Sequence, residues 1–130
     1  IGRIDPSTHA IQEFPIDSSG LDEAEGITVG PDSNLWFTLT GINKIGAMYS
    51  TTGAMIGEFS VPTANAGLSQ IVSDPADGNL WFTDLHDRIG VFDLKTKTAT
   101  MYSQGITPGS VPHFILLAPD GNKVEAACLK

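Results

Sequence analysis

The chain repeats itself every 44 residues. Ile1-Gly2, Ile45-Gly46 and Ile89-Gly90 stand at that spacing, as do Ile27, Ile71 and Ile115, and Pro31, Pro75 and Pro119. Leu35-Trp36-Phe37-Thr38 returns as Leu80-Trp81-Phe82-Thr83, 45 residues on. Four registers that agree to within a residue exclude chance. A period of this size marks an array of supersecondary units, each too small to bury its own apolar face and therefore stacked on its neighbours.

Inside one repeat the pattern is that of short strands. The order is Glu25-Gly26-Ile27-Thr28-Val29, a turn at Pro31 to Asn34, Leu35 to Thr38, Lys44 to Tyr49, a turn at Ser50 to Gly53, and Ile56 to Val61. β-Branched and aromatic runs are cut by Gly, Pro, Asp and Asn too often for helices to form. The later copies turn at Asp77-Gly78-Asn79 and Asp120-Gly121-Asn122, and Asp-Gly supplies the positive φ of a tight hairpin. Four strands per period of about 44 residues fit an all-β fold, the β-propeller built of four-stranded blades. Ile27, Trp36, Phe37, Ile45 and Phe59, with Ile71, Trp81, Phe82, Ile89 and Tyr102 in the next copy, are the expected inter-blade core.

The single domain, 1–130, holds three blade-equivalents. Full blades run from about Glu25 to Pro62 and Ser69 to Ser103. The chain opens with the last two strands of a blade (Ile1 to Ile4, Ala10 to Ile16) and closes with the first two (Pro112 to Ala118, Lys123 to Leu129), so 1–16 and 112–130 are complementary halves. Three blades do not close a ring without splaying. An open arc exposes apolar faces and strand edges that invite association. A two-fold homodimer completing six blades is the economical solution; a piece of a longer propeller, or another ring size, is the alternative.

Charge narrows the partners. Seven Lys and Arg against fifteen Asp and Glu give a net charge of −8 and a pI near 4.5. Nucleic acid and anionic membrane surfaces are repelled by such a chain, which leaves the chain itself and a small molecule or glycan. No apolar run reaches the length of about 18 residues that a membrane span needs, and no signal-peptide pattern opens the sequence; the compartment stays open. Cys128, the one cysteine, is expected as a small buried apolar residue rather than a reactive thiol.

Gly30-Pro31-Asp32-Ser33-Asn34-Leu35-Trp36-Phe37-Thr38 and Asn43-Lys44-Ile45-Gly46 resemble the G-P-D-G-N-L-W-F-T-E and N-K-I-G-R-I repeats of the streptogramin B lyase (virginiamycin B lyase) family. Ile1-Gly2-Arg3-Ile4 and Glu13-Phe14-Pro15-Ile16 are similar to the second half of the same repeat. The resemblance implies a seven-bladed, single-chain, magnesium-dependent enzyme that opens a cyclic depsipeptide by elimination at its ester. It also implies a catalytic set: a His in P-H-G-I, a Glu-x-His in the next blade, and a Glu after W-F-T. His113, in Val111-Pro112-His113-Phe114-Ile115, matches the first His, with Phe114 for Gly, and Glu23 matches the first Glu. Glu25 stands where the second His belongs and Leu39 where the Glu after W-F-T belongs. The second full blade has Ser69 and Asp84 at those places, and the closing half-blade has His113 and Ala127.

Three readings of function follow. The first is an oligomeric, lectin-like binding module for a small ligand, with a carbohydrate as the first guess because repeated sites give avidity; Glu25, Trp36, Trp81, Asp84 and His86 are its candidate contacts. Both tryptophans also fit a purely structural role. The second is the magnesium-dependent lyase with His113 as base and Glu23 beside it; in the dimer the partner's first full blade would follow His113. The third is a propeller piece without activity of its own. Asp84 and His86 alternate along one strand and could share a divalent ion, but two ligands do not make a closed metal site; the plainer reading is a polar loop with Asp87 and Arg88 as exposed charges. His9 is expected to be solvated in its turn. No Ser-His-Asp order, G-x-S-x-G, phosphate loop or CxxC is present.

Overall fold

A computed structural model describes residues 1–16, 20, 22–121 and 124–129. Its order is β1 (Gly2–Ile4), β2 (Ile11–Glu13), β3 (Ala24–Val29), β4 (Leu35–Leu39), β5 (Lys44–Met48), β6 (Met55–Ser60), β7 (Leu68–Asp74), β8 (Asn79–Asp84), β9 (Arg88–Asp93), β10 (Thr98–Tyr102), β11 (Pro112–Leu117) and β12 (Val124–Cys128). Sequence neighbours pair antiparallel, giving two four-stranded sheets, β3 to β6 and β7 to β10, flanked by the ribbons β1-β2 and β11-β12. These are blades 2 and 3 with half-blades 1 and 4: a partial β-propeller. The expected start of the last strand at Lys123, and Asn122 of its turn, lie outside the described residues. The one helical element among the described residues is a 3-10 turn, Thr40–Ile42, and none is a helix long and apolar enough to cross a membrane.

Repeated residues make repeated joints. In the third hairpin of each copy His9, Gly53 and Lys97 take the left-handed position, with φ of 60°, 73° and 58°, and each donates its N–H to the carbonyl of Asp5, Tyr49 or Asp93. The Asp5 carboxylate also accepts the N–H groups of Thr8 and Ser7, which hold its pKa below the ordinary value of 3.8. His9 is exposed, as expected. Gly46 and Gly90 lie opposite Phe37 and Phe82. A Cβ on either glycine would fall 2.3 Å or 2.1 Å from the ring, so the glycine of the Ile-Gly signature is the seat of the W-F-T phenylalanine.

The core lies between blades 2 and 3. Trp36, Ile45, Ala47, Leu68, Ile71, Leu80, Phe82 and Phe92 are buried in one cluster. Trp36, Phe59 and Phe92 meet with ring centroids 5.4–5.7 Å apart, a geometry that adds to plain area burial. Half-blade 1 packs Ile1, Phe14 and Ile16 on Phe37, Leu39 and Met48 of blade 2.

Five of the ten expected core positions are not fully buried, and of these Phe59 still packs against the core cluster. Ile27 is 50% exposed, because the face of β3 that carries it looks toward the absent inner half of blade 1; its equivalent Ile71, with β3 against β7, is 5% exposed. Tyr102 is 51% exposed on the outermost strand of blade 3, and Trp81 and Ile89 are only half-buried, since half-blade 4 supplies no outer strands to cover them. Cys128 is exposed rather than buried.

Candidate functional site

The inner strands β3, β7 and β11 lie side by side, and each carries one extra residue near its start. The ladders slip between Ala24 and Ile27, Leu68 and Ile71, and Pro112 and Phe114. Such bulges re-aim side chains. The residues re-aimed are Glu25, Ser69 and His113, the same repeat position in three successive blades.

The W-F-T threonine holds each bulge. Thr38 Oγ1 accepts the N–H of Gly26 at 2.8 Å and donates to the Ser69 carbonyl of the next blade at 2.6 Å. Thr83 Oγ1 accepts the N–H of Gln70 at 3.1 Å and donates to the His113 carbonyl at 2.9 Å. One hydroxyl thus satisfies the amide the bulge frees and fixes the neighbour's inner strand. Gly26 allows the approach: a Cβ there would lie 2.6 Å from the Ser69 carbonyl oxygen.

So held, the three side chains meet. Ser69, fully buried, places Oγ 2.5 Å from Glu25 Oε1 and 3.3 Å from His113 Nδ1, and His113 Nε2 lies 3.9 Å from the same Glu25 oxygen. His113 and Glu25 keep part of their surface in solvent. Thr40 Oγ1 stands 3.4 Å from Glu25 Oε2. The His113 ring packs edge-on to Phe114. The loop before β11 is tied down by Asp87, whose carboxylate takes the N–H of Gly109 at 2.5 Å and of Val111 at 3.1 Å; these bonds, Gly109 first, keep the Asp87 pKa low. Val111, immediately before Pro112, has φ 51°, a strained value for a β-branched residue. The equivalent residue of blade 2, Asn43, ties down the loop before β7 with one bond of each sense, donating from Nδ2 to the Thr63 carbonyl and accepting the Ala66 N–H at Oδ1.

The other expected contacts are placed elsewhere. Glu23 is exposed in the turn before β3 at φ 41°, and among the described residues no hydrogen bond joins its carboxylate to the trio. Trp36 has no exposed surface and gives its indole N–H to Asp32 at 3.0 Å, so it presents no face to a ligand. Burial opposes ionisation of Asp32, but the hydrogen bonds from Asn34 and Trp36 win and its pKa is lowered.

Asp84 is likewise fully buried: Oδ2 takes Arg88 Nε at 2.7 Å, and Oδ1 takes the N–H of His86 at 2.9 Å and of Gly67 at 3.1 Å. The expected pairing with His86 is seen, its Nδ1 lying 3.3 Å from the same Oδ1, but the carboxylate oxygens are already engaged by Arg88 and by the His86 and Gly67 amides. Asp87 and Arg88, expected as exposed charges, are partly buried and bonded, Arg88 to Asp84 and Asp87 to the Gly109 and Val111 amides. His86 remains exposed. Opposite the inner-strand starts Ala24, Leu68 and Pro112 the ladders set Leu39, Asp84 and Cys128, so Cys128, not Ala127, is the third member of that series.

Among the described residues no group of three or more His, Cys, Asp or Glu side chains is placed to hold a metal ion. Glu25 Oε1 is engaged by Ser69 and both Asp84 oxygens by their own loop. Among the described residues this donor set does not fit a magnesium centre.

Sequence alone marked Glu25 and His113 but gave Ser69 no role, and it did not show what Thr38 and Thr83 do. The signal was present: 25, 69 and 113 are 44 apart. Comparison with known proteins agrees with the fold. Residues 1–125 match the model of the virginiamycin B lyase family. Virginiamycin B lyase from Staphylococcus aureus is 34% identical over 98% of this chain and 41% of that one, with a TM-score of 0.84. A streptogramin B lyase structure is 33% identical over 98% and 40%, also at 0.84. A gluconolactonase from Xanthomonas campestris, 18% identical over 98% and 40% with a TM-score of 0.71, shares the fold alone. No curated protein matches the chain. The chain spans about 40% of the length of these lyases. A family match over nearly every residue and a blade-for-blade likeness lead to one conclusion: the chain belongs to the virginiamycin B lyase family.

Proposed function

We propose that this chain supplies a small-molecule site at the inner strands of a propeller, and that His113 acts there as the base of a lyase reaction opening a cyclic ester. The observation that carries the reading is the meeting of Glu25, Ser69 and His113 from three successive blades. In such an elimination the imidazole takes a proton from the carbon beside a carbonyl. The electron pair left behind forms a carbon–carbon double bond, the neighbouring C–O bond breaks, and the carboxylate departs. No water is consumed, so the product is an isomer of the substrate. Glu25, 3.9 Å from Nε2, faces the imidazolium that forms and opposes its charge. The substrate class follows the names of the lyases it resembles: depsipeptides of the streptogramin B kind.

The bare faces of the arc belong to the same reading. Ile27 and Val29 on β3, and Phe114 and Leu116 on β11, are each at least half exposed. In a solution of this chain alone, the apolar face available to cover them is that of a second copy. A two-fold ring of six blades would bring Glu23 and Glu25 of the partner subunit beside His113, completing the pocket on its open side. Leu39 and Glu25, where the family motif carries Glu and His, favour a second reading, a binding module for a small ligand or glycan without turnover.

Incubation with a streptogramin B antibiotic, followed by liquid chromatography and mass spectrometry, separates them. A linear product of unchanged mass, absent with His113→Ala, is expected. A product heavier by one water contradicts the elimination. Calorimetric binding with no product supports the second reading.

A further inference from the structure

Ser69 does more than bridge two blades. We infer that it is a positioning residue that fixes the tautomer of His113, putting the proton on Nδ1 and leaving Nε2 as the free, proton-accepting nitrogen at the site.

Serine has one hydroxyl hydrogen, and an ionised carboxylate only accepts. Glu25 Oε1 at 2.5 Å therefore claims the hydrogen of Ser69. The same Oγ stands 3.3 Å from His113 Nδ1, and with its hydrogen already committed it can only accept there. Nδ1 must carry the N–H, so the neutral ring has its lone pair on Nε2. The backbone allows little escape. Ser69 is fully buried, its carbonyl is held by Thr38, and the His113 carbonyl is held by Thr83. The direction of the chain, His113 to Ser69 to Glu25, is set by the carboxylate at its end. Replace that carboxylate by a group that can also donate, and the direction is no longer dictated.

The inference rests on His113 as a base for its functional meaning, but its test does not need activity. In the 15N-labelled chain, long-range proton–nitrogen correlation at about pH 9, above the ordinary histidine range, shows which ring nitrogen bears the proton. The His113 signals are those lost in His113→Gln. The expected wild-type pattern is a proton on Nδ1 and a bare Nε2. Glu25→Gln, at a partly solvated position where the fold tolerates it, is expected to lose that preference, with both nitrogen resonances moving toward each other as the Nε2–H form becomes populated. Ser69→Ala is expected to do the same. A wild-type ring protonated at Nε2, or a pattern unmoved in both variants, overturns the inference. Should the pattern hold while no antibiotic is opened, the positioning role stands and the lyase reading falls.

Discussion

Trp36 and Trp81 occupy the same place in consecutive blades, and their surroundings differ. Trp36 is wholly buried, its N–H is bonded to Asp32, its ring touches Phe59 and Phe92, and Lys97 Nζ sits 4.7 Å above it. Trp81 is half-buried and its Nε1, though sealed from water, has no hydrogen-bond partner among the described residues. The sequence motif is identical; what differs is the neighbour. Blade 3 covers Trp36 with a third strand, β9, whereas half-blade 4 stops at its second. Ile71 and Ile27 repeat the lesson on the inner strands. Stability in this architecture resides in the junctions, and a blade is as stable as the face opposite it.

The contrast can be broken first at the tryptophans. Trp36→Ala is expected to cost about 3–5 kcal/mol, the range for emptying a packed aromatic site, and Trp81→Ala clearly less; urea unfolding of both variants measures the difference, and equal losses would erase it. Next come the threonines. Thr38→Val leaves the Gly26 N–H and the Ser69 carbonyl unpaired in a sealed junction, at about 1–3 kcal/mol, while Thr83→Val acts at the half-open junction and should cost less by the same measurement.

The smallest effect lies in the loop at β11. A carboxyl with a lowered pKa stabilises the fold above its unfolded value, here the ordinary 3.8, and that contribution is lost as pH falls through the depressed folded value. Hydrogen exchange at Gly109 and Val111 is expected to accelerate below that point, beyond the intrinsic pH effect. In Asp87→Asn it should be fast throughout, with no such acid limb.

Much of this was legible in the sequence. The 44-residue register gave the strands, the blades and the split ends, because identical local chemistry recurs at identical places: Asp5 and Asp93 cap the same hairpin, and Phe37 and Phe82 cover the same glycine. Burial was less legible. Ile27 reads like Ile71, and nothing within a repeat says whether a neighbour stands beside it. The site was half legible. Glu25 and His113 are residue types that announce chemistry, whereas Ser69 acquires a role only when bulges on three strands bring it between them. Asp84 and His86 alternate as ligands would, yet Arg88, four residues on, takes the carboxylate.

Two apolar faces of the arc, on β3 and on β11, remain bare. Pairing β12 with β1 of a second copy would set Ala126 over Gly2, where the complete blades set Phe82 over Gly90 and Phe37 over Gly46. The join is therefore looser than those inside a blade, and its occupancy should depend on concentration. The mass of the chain in solution, by light scattering over a dilution series, tests this most directly. Twice 13.7 kDa, falling on dilution or in Ile27→Asp, is the expected result. A well-folded single copy at every concentration, with Ile27 and Phe114 left in water, would contradict it.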